Sequence, residues 1–463
     1  MPFVEFAAQS AQNDGFIAAT NERLVNFFPE PLPMGARGEF QLRTVLGTET
    51  LATTTSVFIR AMGNLPEYDS ETGEPTERLI AATDGNLVQI GDDGTTAVLG
   101  AIVDDERTTI SGNNGDITAV AGGRYFRYNG TAVSEPTAGA FSNFGAVEFL
   151  GDYTILTERN GRRFQWSALA NPASLPGLNF ATAESRDDVI LRPLAITGNL
   201  WIFKATSIEI WARTGQASEN AFSLLPGAVI ETGLLGFGLV TKIPNGAFFV
   251  GDDGICYITG GTQQLQAVST PTVNQSIENG TPTDCFYYED EGHKFCVLRF
   301  DNRPAWVYDL ATGLWHERAT GDSLPWGARS CARYRGKWRF AGYGGEVRTA
   351  VRNARDSGEA LIRRAVSRPL EIGGDRYRVA MLEFRGRVGS ADIGRDASMM
   401  VRISRDGGHN WTPTRTRSMG DLGEYYKRMV FRNFGQARVM SAEVTISDAT
   451  DLRLMSRARV ELA

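Results

Sequence analysis

The chain has 463 residues, 42% of them hydrophobic and 22% charged, with a formal net charge of −7; that length asks for more than one core and that composition excludes a disordered or fibrous chain. The charge is unevenly divided, with 27 Lys and Arg against 15 Asp and Glu from residue 327 onward, and 20 against 39 in residues 1–326. Only five of the 47 basic residues are lysines (Lys204, Lys242, Lys294, Lys337 and Lys427), a bias toward the guanidinium that suits desolvated, bidentate contacts and so leans toward an assembly component.

The charge split points to two domains with different neighbours, with drift in surface charge as the plain alternative. In chain order, the opening MPFVEFAAQSAQNDGF has neither the basic start nor the apolar centre of a signal peptide. No apolar run approaches the roughly 20 residues that a membrane helix needs, so a soluble protein without a membrane anchor, made in a cytoplasm, is expected. The spacing of Cys256, Cys285, Cys296 and Cys331 contains no CxxC, and four cysteines in a chain this long are expected to be reduced thiols.

Short runs rich in β-branched and aromatic residues then alternate with Gly, Asn and Asp turns, the pattern of antiparallel strands. RLIAATDGNLVQI (78–90) predicts a hairpin turning at Asp84-Gly85, and AVAGGRYFRYNGTAV (119–133) another at Gly122-Gly123. Further hairpins are expected in 148–166, 194–214, 246–268, 294–319 and 330–350. Their Gly-bearing turns lie near residues 85, 122, 151, 198, 246, 292 and 336, and the last four steps are 47, 48, 46 and 44 residues. A four-stranded propeller blade takes about 40–50 residues, so the period reads as blades; a large sandwich or stacked hairpins is the alternative. Within WVYDLATGLWHE (306–317), Tyr308, Asp309, Gly313 and Trp315 resemble a kelch-type blade turn, in which the Asp ties the turn and the Trp packs between sheets. The plainer reading, a hairpin with a core Trp, rests on the same physics.

Residues 351–377 break the rhythm and are expected to form a linker, with a short helix around 355–365. Beyond it the strands lengthen, and the alternation of Met381, Glu383 and Arg385 against Leu382 and Phe384 predicts a sandwich with one wet face. The expected fold is therefore all-β: an irregular β-propeller of six or seven blades over 1–350, which the N-terminal strands are candidates to close, then a C-terminal β-sandwich over 378–463.

SRDGGHNW (404–411) fits S-x-D-x-G-x-x-W, the Asp-box of sialidases and other β-propeller glycosidases, through Ser404, Asp406, Gly408 and Trp411. A carbohydrate-active propeller, hydrolase or lectin, is therefore weighed. Sialidase chemistry needs an arginine cluster for the substrate carboxylate, a Tyr nucleophile paired with a Glu, and an acid/base Asp. The Arg-Ile-Pro that opens such propellers is missing, the only Ile-Pro being Ile243-Pro244 after Lys242, and there is a single Asp-box, placed after the blade-like region. FYYEDE (286–291) sets Tyr beside carboxylates, but clustered acids in a loop are usually only solvated. The box is expected to shape a turn, with Asp406 accepting backbone N–H bonds and the glycines taking conformations that other residues avoid.

His293, His316 and His409 are the only histidines, with no zinc-ligand spacing. The GDDG turns at 91–94 and 251–254 suit plain turns better than calcium sites. No catalytic residue, metal ligand or cofactor site is assigned. The basic region after residue 327, with RYRGKWRF (333–340), is a candidate for facing phosphate, although strand alternation alone explains that pattern; no residue is assigned to DNA binding.

The C-terminal motifs recur in order: Arg364, then Arg368-Pro369-Leu370, LEFRGRVGS (382–390), VRISRDGGHNW (401–411), GDLGEYYKRMVFRNFGQAR (420–438) and VTISDATDLRLMSRARVEL (444–462). Together they resemble the C-terminal domain of the tail hub, or packaged-DNA stabilisation, proteins of short-tailed P22-like phages. NERLVNFFPEPLP (21–33) is similar to that family's opening motif, where an Asn and a carboxylate bracket an aromatic. SIEIWARTG (207–215) and the GLLGFGLV that follows are similar to its mid-propeller strands. The resemblance implies a structural hub without catalytic residues, assembled as a homo-hexamer beneath the portal and its adaptor ring. Such a hub would hold tailspikes or fibres and the tail needle, and would close the channel after packaging, with contact to the packaged DNA end indirect. It implies a place in the virion tail, and in the host cytoplasm during assembly. A cellular propeller scaffold is the remaining alternative.

Overall fold

A computed structural model describes the chain except for residues 1–2, 7–9, 12–21, 34–38, 69–74, 137–138, 217, 343, 372–374, 388–396, 426, 451 and 463. Asn21 and Tyr426, which belong to the opening and C-terminal motifs above, lie outside the described residues.

Seven four-stranded antiparallel units follow one another along the described chain, five as separate sheets and the last two as parts of larger ones. Their first strands are Ile59–Tyr68, Thr109–Asn113, Phe144–Leu150, Ile190–Ile196, Val240–Ile243, Pro282–Asp290 and Ala328–Tyr334. Each touches the next and the last touches the first, so the sheets are seven blades of a closed propeller. The seventh blade is not built from consecutive residues. Its first three strands span Ala328–Tyr334, Lys337–Gly342 and Glu346–Val351, and the fourth is Gly47–Thr53 from near the N-terminus, antiparallel to the third. Borrowing that strand joins the two ends of the ring and covers what would otherwise be an open edge.

Two-residue turns with left-handed backbone set the blade period. Gly151-Asp152, Thr197-Gly198, Glu291-Gly292 and Arg335-Gly336 all have φ between 46° and 92° at both positions, the geometry that matches the twist of adjoining strands. These turns, and the one at Pro244-Asn245, join the first and second strands of blades three to seven, which is why their spacing is so even. The turns at Gly85 and Gly122 instead join second to third strands. In blade two the equivalent first turn is Asn114-Gly115, at φ 52° and 81°.

Aromatic residues fill the spaces between blades. Phe164 and Trp166 of blade three meet Trp211 and Phe222 of blade four with ring centroids 5.0–5.1 Å apart in edge-on pairs, an arrangement worth about 0.5–1.5 kcal/mol per pair beyond the area buried.

The C-terminal part forms a sandwich around a core that includes Val379, Leu382, Phe384, Phe431, Met399, Val401, Ile403 and Val444. One layer runs Phe3–Glu5, Arg457–Leu462, Tyr377–Phe384, Met429–Ala437. The other runs Arg363–Val366, Val439–Ile446, Ser398–Ser404, Arg415–Ser418, and is hydrogen-bonded through Arg23–Val25 to the outer strand of blade six, Leu314–Thr320. Propeller and sandwich thus share one eleven-stranded sheet.

Two expectations are corrected. Around 355–365 there is no helix: Arg355–Asp356 and Glu359–Ala360 form a hairpin against Gly47–Thr53, and Arg363–Val366 joins the shared sheet. The α-helix among the described residues is Pro271–Glu278, which starts with Pro in its first turn and ends at Asn279, signals that suit a helix start and stop. The face carrying Glu383 is not wet at that position: Glu383 is 1% exposed, with Arg385 at 2.7 Å and Arg428 and Arg459 each at 3.7 Å.

Candidate functional site: the seam between propeller and sandwich

The seam is organised by Asn26, which is fully buried at φ 56°, a left-handed conformation that Asn tolerates better than most residues. Its backbone N–H donates to the Glu317 carbonyl at 2.9 Å and its own carbonyl accepts from Val45 N–H. Its side-chain oxygen accepts from Ala319 N–H (3.0 Å) while Nδ2 donates to the carbonyls of Ala319 (3.1 Å) and Ile362 (2.7 Å). One side chain therefore holds blade six to the segment leading into the sandwich. Beside it Arg23 donates to both carboxylate oxygens of Glu317 at 2.8 and 2.6 Å, the planar two-point match open to Arg and not to Lys.

Much of the arginine bias is used in this way, inside the chain. Arg318 is 1% exposed, donates to the Leu46 carbonyl at 2.6 Å and lies over the Trp326 ring. Arg363, fully buried, donates to Thr44 Oγ1 and to the carbonyls of Thr450 and Asp448. Arg352 pairs with Asp290, Arg364 with Asp322 and Arg368 with Glu22. The acidic front and basic rear are partly neutralised against each other across the seam. Of the lysines, Lys204 is fully buried between Asp188 (2.6 Å) and Glu209 (3.2 Å).

The kelch-like residues come together in blade six. Tyr308 faces Trp315 and Asp309 faces Leu314 in register. Asp309, 2% exposed, accepts from Lys294 N–H (3.1 Å), Ala311 N–H (3.0 Å), Thr312 Oγ1 (2.8 Å) and His293 Nδ1 (2.7 Å). Burial pushes its pKa up, but these donors outweigh burial and hold it below the ordinary carboxylate range. Gly313 closes the turn at φ 73°. Trp315 is buried and donates from Nε1 to the Val268 carbonyl of the loop after blade five at 2.8 Å. Ser10 and Ala11 hydrogen-bond to its backbone.

The Asp-box residues lie in the sandwich, at the end of Ser398–Ser404. Ser404 and Trp411 form an antiparallel bridge. Ser404 Oγ donates to Asp406 at 2.7 Å and accepts from Gly408 N–H at 2.7 Å. Asp406 accepts from the N–H and the side-chain amide of Asn410 at 2.9 and 2.7 Å, and these donors drive its pKa far down. Gly407 and Gly408 have φ 75° and 107°. Trp411 is half-buried, with the Arg402 guanidinium 5.0 Å above its ring.

Among the described residues the FYYEDE stretch does not bring an arginine to its Tyr–Glu pair: Tyr287 donates to Glu289, but Glu289 makes no ion pair with an arginine. The GDDG acids are all engaged: Asp93 accepts from Thr95 and Asp253 from Ile255 N–H and Tyr257 within their own turns, while Asp252 accepts from Gly233 N–H and Asp92 pairs with Arg339. Among the described residues no group of three His, Cys, Asp or Glu side chains is placed to hold a metal, and the four cysteines are free thiols. No helix there is long and apolar enough to cross a membrane. His316 is fully buried beside Phe28 and Phe295, and burial pushes its pKa down to about 3.

A cavity of about 1140 Å³ runs into the propeller, lined by first-strand residues of several blades and by the 235–242 segment. In that segment Gly236 and Gly238 flank Phe237. A Cβ on Gly238 would collide with the Thr283 carbonyl, and its own carbonyl accepts from Cys285 N–H at 2.7 Å. The turn is thus pressed against blade six. Neither Asn26 nor Phe237 is picked out by the sequence reading. Asn26 sits inside the opening motif and Phe237 inside the GLLGFG stretch, and only their long-range partners reveal what they do.

Comparison with family models matches residues 9–345 to "Bacteriophage P22 Gp10, beta-propeller" and residues 363–461 to "Bacteriophage P22 Gp10, beta-sandwich". Curated proteins yield no match. Among solved structures, the computationally designed Ika8 protein is 12% identical with a TM-score of 0.39, covering 65% of this chain and 99% of that one. A chain of the Mitotic Checkpoint Complex is 13% identical with a TM-score of 0.43, covering 70% of this chain and 95% of that one; likeness at this level carries no functional argument. The two family matches run in the order of the propeller and the sandwich, and with them the chain belongs to the bacteriophage P22 Gp10 family, the structural tail hub proteins of P22-like phages.

Proposed function

We propose that the protein works as the hub of a short-tailed phage virion, docking as a homo-hexamer beneath the adaptor ring of the portal. There it closes the DNA channel after packaging and carries the tailspikes or fibres and the needle. Its role is mechanical, without catalysis, and it is put together in the host cytoplasm before joining the tail. The observation that carries this reading is the ordered pair of family matches over nearly the whole chain. The shared sheet supports it, since a part that transmits load between an upper ring and lower appendages gains from domains that cannot swivel. We further infer that the sandwich faces the adaptor ring or a neighbouring subunit through arginines left exposed after the internal pairing, such as Arg432 and Arg438. Ring-to-ring contacts favour such anchors. We also infer that Ser404, Asp406, Gly408 and Trp411 serve to shape their turn, and that Tyr308, Asp309, Gly313 and Trp315 do the same in blade six. The test is docking of purified hub onto portal–adaptor complexes, followed by electron microscopy. Wild type is expected to add a sixfold ring, and Arg432→Glu with Arg438→Glu to fold normally yet fail to add it; normal docking by the double variant would remove the sandwich assignment.

A further inference from the structure

The cations lining the propeller cavity are of two kinds. Lys242 pairs with Glu148 at 3.1 Å, Arg329 with Asp284 at 3.3 Å and Arg60 with Asp104 at 2.8 Å. Arg107 and Arg192 have no such partner among the described residues; both guanidiniums lie instead over Phe237, 5.9 and 4.9 Å from the ring centre. A guanidinium set into a protein wall without a directly paired carboxylate keeps N–H donors unsatisfied, which is unfavourable unless something outside the chain meets them. The aromatic face attracts each guanidinium without accepting a conventional hydrogen bond from it, which leaves N–H groups available for two-point contact with an oxyanion. The turn presenting Phe237 is fixed against the Thr283 carbonyl, so the platform is preformed. The cavity, at about 1140 Å³, is somewhat larger than the roughly 300–1,000 Å³ of ordinary ligand sites.

We propose that Arg107, Arg192 and Phe237 form a binding site inside the propeller for an anion bearing a phosphate or carboxylate group. Burial pushes the Arg192 pKa down from its ordinary value, and the nearby Glu148 and Asp284 offset this only in part.

Calorimetric titration of the whole chain with inorganic phosphate and, separately, with citrate tests this. Saturable binding of phosphate alone or of citrate alone supports the site and sorts the ligand class. Arg192→Gln is expected to weaken that binding at least tenfold, while melting without anion at the wild-type temperature or above, because an uncompensated charge has been removed. Arg107→Gln gives an independent reading should Arg192→Gln fold poorly, and exposed Lys337→Gln is the control. Absence of saturable binding of either anion at millimolar concentration overturns the proposal. So does an equal loss in the Lys337→Gln control, or unchanged affinity in Arg107→Gln and Arg192→Gln.

Discussion

Two turns in this molecule are each organised by one aspartate, and their surroundings could hardly differ more. Asp309 lies 2% exposed in blade six and gathers four donors from three directions, including a histidine on the neighbouring strand. Asp406 lies in the open and is bonded only within its own eight-residue loop. The same residue type fixes a turn in both, but only Asp309 ties that turn to the body of the protein. A motif thus identifies a local geometry, and burial decides how much of the fold depends on it.

The largest effect is expected from Asp309→Ala, which strands buried donors of Lys294, Ala311, Thr312 and His293. Unpaired buried donors cost about 1–3 kcal/mol each before relaxation, so a loss on the order of 3 kcal/mol is expected by denaturant unfolding. A loss below about 1 kcal/mol would break the contrast. Asn26→Ala should follow closely, at roughly 2–3 kcal/mol, since it leaves backbone groups of Ala319 and Ile362 unpaired at the seam; the same unfolding series reads it. Next comes His316, neutral in the fold at a pKa of about 3 against about 6.5 unfolded. Below pH 6.5 the unfolded chain binds a proton that the folded chain refuses, so stability falls on acidification by about 1.4 kcal/mol per pH unit until the folded group titrates. His316→Phe should flatten this limb between pH 6.5 and 4. Asp309 adds a second acid loss with its own window: its pKa is depressed, so its stabilisation is present above the ordinary carboxylate value near 3.9 and fades as pH drops below it. Asp406→Ala should be the mildest, speeding hydrogen exchange across 404–411 while leaving global unfolding nearly unchanged, and it should impair docking more than folding. A global loss equal to that of Asp309→Ala would show the exposed turn to be as central as the buried one.

Local features were legible in the sequence because they are decided locally. Gly122-Gly123 turns where two glycines stand together, at φ 59° and 78°, and the spacing from residue 151 onward reads true because it samples the same hairpin of successive blades. The segment 355–365 shows the limit: its composition permits a helix, but the strand Gly47–Thr53 offers an edge to pair with, and tertiary pairing overrides propensity. Likewise a single Val25–Glu317 parallel pairing, which joins blade six to the sandwich, leaves no periodic mark in either stretch. The helix Pro271–Glu278 was readable from Pro271 and the Asn279-Gly280 stop, and was hidden only by the density of strands around it. At the Asp-box the residue types were visible, whereas the bond from Ser404 Oγ to Asp406 was not.

The strand that closes the ring also imposes a timetable. A ribosome adds about 5–20 residues per second, so roughly 15–60 seconds separate the making of Gly47–Thr53 from that of Glu346–Val351, the strand it must meet. Throughout that interval an unpaired strand waits beside six growing blades, each with an edge it could join by mistake. Its sequence, GTETLAT, is suited to the delay: Glu49 and three threonines keep it from sticking, and Leu51 and Ala52 are the only apolar side chains it holds back. The patience of that strand is as much a property of the fold as the ring it finally completes.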